Sequence, residues 1–316
     1  MKYKMKQFRL FFYAILSLLV FSTCGGDDDE NIGPNGKESD VISKPVPGNS
    51  NANIATKNTA YLSRLDFPKV KGGNSIIVVH RASFGINYSV EWDTDKHAQR
   101  WSCYRMHAGN SSGMTNRKPQ EYNGAFSEYP NDPDLPAQYR FTVDPYSGSG
   151  YDHGHIMPSA DRAYGYNQTA NRQTFYMTNM QPQVNGFNAK VWANMEQQVR
   201  TWNKASFRDT LYVVKGGTID AANNIIKYLG AAQNKIPVPK YFFMAVLCKN
   251  SRGWKAIGFW IEHKANSDTS LKKYVVNIDE LEKKTGIDFF CNLPDNIENA
   301  VESVSASQLI TNFEVK

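Results

Sequence analysis

One short stretch of the chain concentrates side chains that could carry out acid–base chemistry. Residues 151–162 read YDHGHIMPSADR, with His153 and His155 on either side of a glycine. A neutral imidazole can accept a proton near pH 7, so either histidine could act as a general base. Two histidines at this spacing are by themselves weak evidence of a metal site, because alternate residues of a strand can carry histidines for purely structural reasons.

A second set of polar side chains follows on a predicted helix. Residues 188–203 (NAKVWANMEQQVRTWN) place apolar side chains at helical spacing, which predicts an amphipathic helix. Asn188, Trp192 and Glu196 are four residues apart and therefore project near one side of that helix. Read singly, they fit a helix cap, a core residue and a solvated surface charge. Together with His155, they supply an oxygen ligand, a carboxylate that can hold water, and a base.

The elements that must position these residues predict one α+β domain with a largely antiparallel sheet. Residues 279–285 predict a short polar helix, with Gly286 placed to end it. We find no internal repeat and no second linker, so one domain over residues 58–316 is expected. Runs of β-branched and aromatic residues predict strands at 75–80, 101–106, 210–215, 241–248 and 254–261.

The first 57 residues predict a targeting signal followed by a flexible tether. Basic residues precede an apolar run (LFFYAILSLLVF) that is short for a membrane span and typical of a signal peptide. Residues 21–24 (FSTC) resemble a lipobox, so residues 1–23 are expected to be a lipoprotein signal peptide. A lipid on Cys24 would anchor the protein at the surface of a Gram-negative outer membrane, whereas a plain secretory signal would leave it periplasmic or secreted. Residues 24–57 predict a flexible acidic tether.

The net charge is modest once it is divided among these parts. The chain carries +6 overall, but four of its basic residues lie before Cys24 and residues 25–57 carry an excess of acidic residues. The remainder contains 29 basic and 24 acidic residues. Such an excess is compatible with a nucleic-acid partner and far below that of a histone-like protein. A hydrophobic content of 41% excludes a wholly disordered chain.

Three cysteines lie beyond Cys24, namely Cys103, Cys248 and Cys291. They show no CxxC motif and no Cys/His zinc spacing, so buried structural cysteines are expected. In an oxidising compartment one pair could form a disulfide, and the sequence leaves the pairing open.

The ordered motifs resemble the DNA/RNA non-specific endonucleases, a ββα-metal (His-Me finger) nuclease family that includes endonuclease G. The family signature is Asp-Arg-Gly-His, then Thr-Asn-x-x-Pro-Gln, then a helix with Asn-x-x-x-Trp-x-x-x-Glu. The matching residues here are 152–155 (DHGH), 178–183 (TNMQPQ) and 188–196. Further blocks at 209–217, 239–243 and 285–295 extend the resemblance over most of residues 60–300. The resemblance implies the ββα-metal fold.

The resemblance also implies a role for each site residue. His155 matches the general base that takes a proton from the attacking water. Asn188 matches the sole direct protein ligand of Mg²⁺, for which Mn²⁺ is an alternative, and Glu196 would hold one of the waters around that ion. Asn179 matches a supporting residue that orients the histidine or the metal's ligands, and Asp152 begins the catalytic motif. The expected reaction is hydrolysis of DNA and RNA to 5′-phosphate and 3′-hydroxyl products.

Two arginine positions and one departure from the family pattern bear on activity. A phosphate-binding arginine precedes the signature in the family, and Arg117, just after a polar turn, is the preferred match, with Arg140 as its rival. His153 stands where the family has arginine. This change predicts that activity survives with a reduced rate or a shifted pH dependence, and His153 could also place a second imidazole near the metal.

Two other functions stay open on the sequence alone. A surface lipoprotein of the same fold could bind nucleic acid without cutting it, which the substitution at His153 would favour. A zinc hydrolase could use His153 and His155, although no third ligand stands at a suitable spacing. DNA and RNA are the expected partners in the leading interpretation, and a homodimer is compatible with the resemblance.

Overall fold

The structure is a computed structural model that describes residues 48–110, 128–162 and 167–316. Its strands are β1 Ser75–Ala82, β2 Gly85–Asp93, β3 Ala98–His107, β4 Asp152–His155, β5 Met180–Gln183, β6 Thr210–Gly217, β7 Ile225–Leu229, β8 Ile236–Pro239, β9 Tyr241–Asn250, β10 Gly253–Glu262 and β11 Val275–Val276. Its α-helices are α1 Gln168–Gln173, α2 Asn185–Phe187, α3 Ala193–Trp202, α4 Ile278–Thr285, α5 Asp295–Glu302 and α6 Ala306–Asn312. A π-helical turn, Asn188–Trp192, joins α2 to α3.

A seven-stranded sheet in the order β1-β2-β3-β6-β9-β10-β11 forms the centre of the fold. Its neighbouring strands are antiparallel, as are the two small sheets β4-β5 and β7-β8. The prediction of an α+β fold with a largely antiparallel sheet is therefore confirmed. The five strand segments predicted from the sequence fall within β1, β3, β6, β9 and β10.

The large sheet has a hydrophobic core on each of its faces. Successive side chains of a strand point to opposite faces. Met244 of β9 accordingly packs in the core that contains Met195 of α3, and the next residue, Ala245, packs in the core that contains Leu281 of α4. We call these the α3 face and the α4 face of the sheet.

The helix predicted at 279–285 is present and ends where its sequence indicates. The side-chain oxygen of Asn277 accepts the Glu280 amide at 2.8 Å, which caps the first turn of α4. Gly286 then adopts φ of 71°, a left-handed conformation that favours glycine, and its amide donates to the Glu282 carbonyl at 2.7 Å.

Part of the predicted tether belongs to the folded domain. Asn49 is buried, and its side-chain amide donates to the carbonyls of Cys291 and Leu293 at 3.0 and 2.6 Å. Ala55 is buried as well. The folded region therefore extends back at least to residue 48 instead of beginning at residue 58. Residues 1–47, including the predicted signal peptide and Cys24, lie outside the described residues.

The described part of the chain contains no helix that is both long and apolar enough to cross a membrane. Cys103, Cys248 and Cys291 are buried and free, as expected for structural cysteines. Burial raises the pKa of the Cys248 thiol to about 11, which makes it unreactive at neutral pH.

Candidate active site

The site is built from the hairpin of β4 and β5 and the helical segment that follows it. Asp152 pairs with Gln183 and His155 with Met180, after which the chain enters α2, the π-helical turn and α3. Only glycine fits at position 154, because a Cβ atom there would lie 2.3 Å from the side chain of Gln183. The motif residues are therefore held on one strand–strand–helix unit.

This unit encloses one side of a polar cavity of about 500 Å³. His155, Asn188 and Glu196 all line it, so the structure brings these three predicted site residues together. The complete lining comprises Tyr129, Tyr151, Asp152, His153, His155, Pro158, Ser159, Ala160, Asn185, Asn188 and Glu196.

Asp152 fixes the orientation of the predicted metal ligand. Its Oδ2 accepts hydrogen bonds from the side-chain amides of Asn188 and Asn185, each at 3.0 Å. Because a carboxylate only accepts, the Asn188 atom that faces it must be the nitrogen. The Asn188 side-chain oxygen is thereby left as the atom that can bind a hard cation.

Glu196 is neutralised by a lysine that the sequence analysis did not identify. Its Oε1 lies 3.4 Å from Nζ of Lys215, whose side chain is fully buried on the α3 face of the sheet. Burial raises the pKa of Glu196 and lowers that of Lys215, and the attraction between the two opposes both shifts. Lys215 Nζ also lies 4.4 Å from the centre of the Trp192 ring.

His155 is held on a rigid strand and enclosed by aromatic rings. Its main-chain carbonyl accepts the indole N–H of Trp192 at 3.0 Å, which ties the strand to the helical segment. The Phe175 ring meets the imidazole edge-to-face, with ring centres 4.9 Å apart. The residue is 8% exposed and lines the cavity.

Asn179 positions the loop after His155 and does not line the cavity. It is fully buried. Its side-chain oxygen accepts the Met157 amide at 2.9 Å, and its side-chain nitrogen donates to the carbonyls of Met157 and Thr174 at 2.9 and 2.7 Å. Its own carbonyl accepts the Ile156 amide at 3.0 Å. Asn179 therefore acts on the site through the backbone next to His155.

His153 has an environment of its own. Its ring is stacked between those of Tyr129 and Tyr146, each with ring centres 4.0 Å away. Its Nε2 lies 3.1 Å from the carboxylate of Asp144. Burial raises the Asp144 pKa, but the hydrogen bond and charge of His153, together with the Tyr146 amide, outweigh it and lower that pKa. This pairing directs Nε2 toward Asp144 and leaves His153 poorly placed as a second metal ligand.

Of the two candidate phosphate-binding arginines, Arg140 lies within the described residues. The guanidinium of Arg140 donates to the carbonyls of Leu135 and Pro133, both at 2.7 Å, so it stabilises its own loop and does not line the cavity. Arg117 lies outside the described residues.

Two groups within the described residues could each offer three His, Cys or carboxylate ligands to a metal ion, and neither includes His153 or His155. The zinc interpretation therefore gains no support there.

The first group is His80, Asp132 and Asp134. Nε2 of His80 lies 3.0 Å from Asp132 and Nδ1 lies 3.3 Å from Asp134. Burial lowers the His80 pKa, but the two carboxylates outweigh it and raise that pKa, which suits an imidazolium ion between two anions.

Sequence reasoning missed Lys215 and Asp144, which contact Glu196 and His153. A signal for Lys215 is present in residues 210–217 (TLYVVKGG), where a lysine interrupts an apolar strand. A buried charge needs a partner, so such a lysine indicates a nearby carboxylate. Asp144 carries no comparable signal, because it lies in a loop.

Comparison with known proteins agrees with this geometry. A profile described as "DNA/RNA non-specific endonuclease" matches residues 71–296. A nuclease of Nostoc sp. is 32% identical over 226 residues, which are 68% of this chain and 75% of that protein. Nuclease C1 of Cunninghamella echinulata is 34% identical over 53% of this chain and 68% of its own length. Human mitochondrial endonuclease G is 27% identical over 52% of this chain and 57% of its own length.

The fold is also found among solved structures. A chain in a crystal structure of the EndoG/EndoGI complex matches with a TM-score of 0.57 and 20% identity, over 70% of this chain and 89% of that one. The predicted ββα-metal nuclease fold is therefore confirmed.

Proposed function

The chain belongs to the DNA/RNA non-specific endonuclease family, and on that premise we propose that it is a Mg²⁺-dependent endonuclease that cuts both DNA and RNA. Membership in a nuclease family makes it a hydrolase acting on nucleic acids. The observation that carries the finer proposal is the convergence of His155, Asn188 and Glu196 on one cavity.

His155 is the proposed general base. Water in the cavity can reach its imidazole, and the rigid β4 strand and the Phe175 ring limit its movement. The neutral ring would take a proton from the water that attacks phosphorus. Asn179 and Trp192 support this step from outside the cavity, because they hold the backbone at and just beyond His155.

The donor set fits a hard divalent cation. Asn188 contributes an amide oxygen, oriented by the bond of its nitrogen to Asp152, and Glu196 contributes a carboxylate that can order water. Oxygen donors of this kind suit Mg²⁺ or Mn²⁺. The bound ion would neutralise charge on the phosphate under attack and stabilise the leaving 3′ oxygen, which gives a 5′-phosphate product.

Binding to the phosphate backbone of the nucleic acid would explain why the proposed enzyme discriminates neither between base sequences nor between DNA and RNA. Phosphate contacts provide affinity without sequence information, and they are common to DNA and RNA. Arg117 remains the proposed phosphate-binding residue.

Export and lipid anchoring at Cys24 are also proposals, supported by the apolar run at 10–21 and the lipobox-like residues that follow. Labelling cells with a radioactive fatty acid tests them. The proposal predicts label on the wild-type protein and none on Cys24→Ser, and equal label on both would contradict it.

Cleavage assays test the proposed activity. Incubate the purified full chain with supercoiled plasmid and with RNA, in Mg²⁺ or EDTA, beside His155→Ala and the matched control His97→Ala, which lies outside the cavity lining. We expect wild type and the control to cut both substrates in Mg²⁺ only, and His155→Ala to be at least 100-fold slower, the usual contribution of a general base. Binding without cutting by wild type would favour the non-catalytic alternative. Activity restored by zinc but not by magnesium would favour the zinc hydrolase.

A further inference from the structure

A compact group of carboxylates lies on the α4 face of the sheet, opposite the face that carries the catalytic cavity. Asp279 and Glu282 stand three residues apart on α4 and therefore share one side of that helix. Glu302 is the last residue of α5. Each of the three places one oxygen within 4.8 Å of the other two.

Glu302 is the most unusual member of this group. The residue is only 5% exposed, and its Oε1 has no hydrogen-bond partner among the described residues. Burying such an oxygen is unfavourable unless a partner satisfies it. By contrast, Oε1 of Glu282 accepts the Phe289 amide at 2.7 Å. The unsatisfied oxygen therefore indicates a missing partner at the junction of α4 and α5.

The surroundings supply further negative charge. Glu298 and Asp288 lie nearby and accept hydrogen bonds from the side-chain amide of Asn51, at 3.0 and 3.2 Å. Lys69 donates to the carbonyls of Asn51 and Ala52 and acts electrostatically on Asp288. Burial and the neighbouring carboxylates raise the pKa of Glu302 to about 9.

We propose that Asp279, Glu282 and Glu302 bind a calcium ion that links α4 to α5. Calcium takes six to eight oxygen ligands at about 2.3–2.6 Å, so ligands on opposite sides of the ion can be about 5 Å apart. The spacing of the three carboxylates satisfies that limit. Calcium also tolerates irregular geometry and fills its remaining positions with water, whereas Mg²⁺ demands near-ideal octahedral ligands. The site is separate from the cavity around Asn188, so it stabilises the fold without taking part in the reaction.

Calcium binding by the full chain tests the proposal. To remove binding at the catalytic cavity, the measurement uses Asn188→Ala as background and compares it with Asn188→Ala/Glu302→Gln and Asn188→Ala/Asp279→Asn. Calorimetric titration with CaCl₂ or MgCl₂ at pH 7.5 gives the affinity, and thermal unfolding in CaCl₂ or EDTA gives the stability. Asp134→Asn in the same background is the matched control, since it removes a carboxylate from the other three-ligand group.

We expect the background variant to bind one calcium ion in the range of extracellular calcium modules, about 10⁻⁴–10⁻³ M, and to melt at a higher temperature in calcium than in EDTA. Binding of Mg²⁺ should be weaker. Glu302→Gln and Asp279→Asn should each weaken calcium binding at least 10-fold and abolish the thermal shift, while the control keeps both. Asp279 is partly exposed, so its variant remains informative if Glu302→Gln does not fold.

Three results would overturn the proposal. The first is no calcium binding in the Asn188→Ala background, which would mean that the carboxyl groups are held protonated. The second is unchanged binding after loss of Glu302 or Asp279, and the third is loss of binding in the Asp134→Asn control. Plasmid cleavage by the wild-type chain is independent of all three, so failure here leaves the proposed nuclease activity untouched.

Discussion

Replacing Lys215 with methionine tests how Glu196 is held at the edge of the cavity. Nζ of Lys215 is fully buried 3.4 Å from the Glu196 carboxylate, so the substitution leaves a buried charge without this partner. Removing one member of a buried ion pair destabilises a protein by about 3–5 kcal/mol. We therefore expect Lys215→Met to lower the free energy of unfolding by about that amount at pH 8.

The loss should depend on pH in a defined direction. Without Lys215, the attraction that lowers the Glu196 pKa disappears, and burial raises that pKa further. A raised pKa in the folded state favours the protonated form, so its contribution to stability is lost as pH rises. The deficit of Lys215→Met relative to wild type should therefore be smaller at pH 5 than at pH 8.

Urea unfolding followed by circular dichroism measures these quantities. Lys215→Met/Glu196→Gln removes both charges and should recover at least half of the stability lost by the single variant. Lys255→Met is the matched control. This half-buried lysine donates to the Asn312 carbonyl at 2.7 Å, and its loss should lower stability by less than about 1.5 kcal/mol. A loss of less than about 1 kcal/mol for Lys215→Met at pH 8, or a double variant no more stable than the single one, would show that Lys215 does not stabilise the buried Glu196 carboxylate.

Substitutions at His153, Asn179 and Glu302 should have separate, measurable effects. His153→Arg restores the family residue, and its planar guanidinium can pair with Asp144. The kcat/KM of this variant for plasmid cleavage should therefore equal or exceed that of wild type. His153→Ala should reduce kcat/KM. Asn179→Ala leaves buried main-chain groups of Met157 unpaired and should lower the free energy of unfolding by about 2–4 kcal/mol in urea titrations; a loss under 1 kcal/mol would contradict its structural role. In EDTA, the free energy of unfolding should fall as pH rises from about 4.5 through about 9. The reason is that the Glu302 pKa is raised from 4.5 to about 9 in the folded state. Glu302→Gln should flatten that fall.

Most strands of the large sheet could be predicted from the sequence because they are runs of β-branched and aromatic residues. Such runs occur because both faces of the sheet pack against a hydrophobic core. The prediction missed β2, although apolar residues such as Tyr88 and Val90 alternate there with polar residues such as Ser89 and Glu91, and the burial of those polar residues was not expected. Some polar atoms of β2 are satisfied by residues distant in sequence. The Glu91 carboxylate, for example, accepts the Lys71 amide at 2.9 Å. Local pattern alone cannot reveal such partners.

In the candidate site, too, some residues could be grouped from the sequence and others could not. His155, Asn188 and Glu196 lie within 42 residues of sequence on one strand–strand–helix unit, so spacing and motif order sufficed to group them. Lys215 reaches Glu196 from β6, across the core on the α3 face. Its role depends on packing between elements, which the sequence pattern does not specify. The helix was predicted from residue 188, whereas helical structure begins at Asn185 and includes a π-helical turn that starts at Asn188, the proposed metal ligand.

The dependence of cleavage rate on Mg²⁺ concentration in wild type, Asn188→Ala and His155→Ala separates the proposed roles of the two residues. If Asn188 holds the ion and His155 is the base, Asn188→Ala should raise the Mg²⁺ concentration needed for half-maximal rate at least 10-fold. His155→Ala should keep that concentration unchanged and lower the maximal rate at least 100-fold. Equal Mg²⁺ requirements for wild type and Asn188→Ala would contradict the role of Asn188 as metal ligand, and full activity in His155→Ala would contradict the role of His155 as general base.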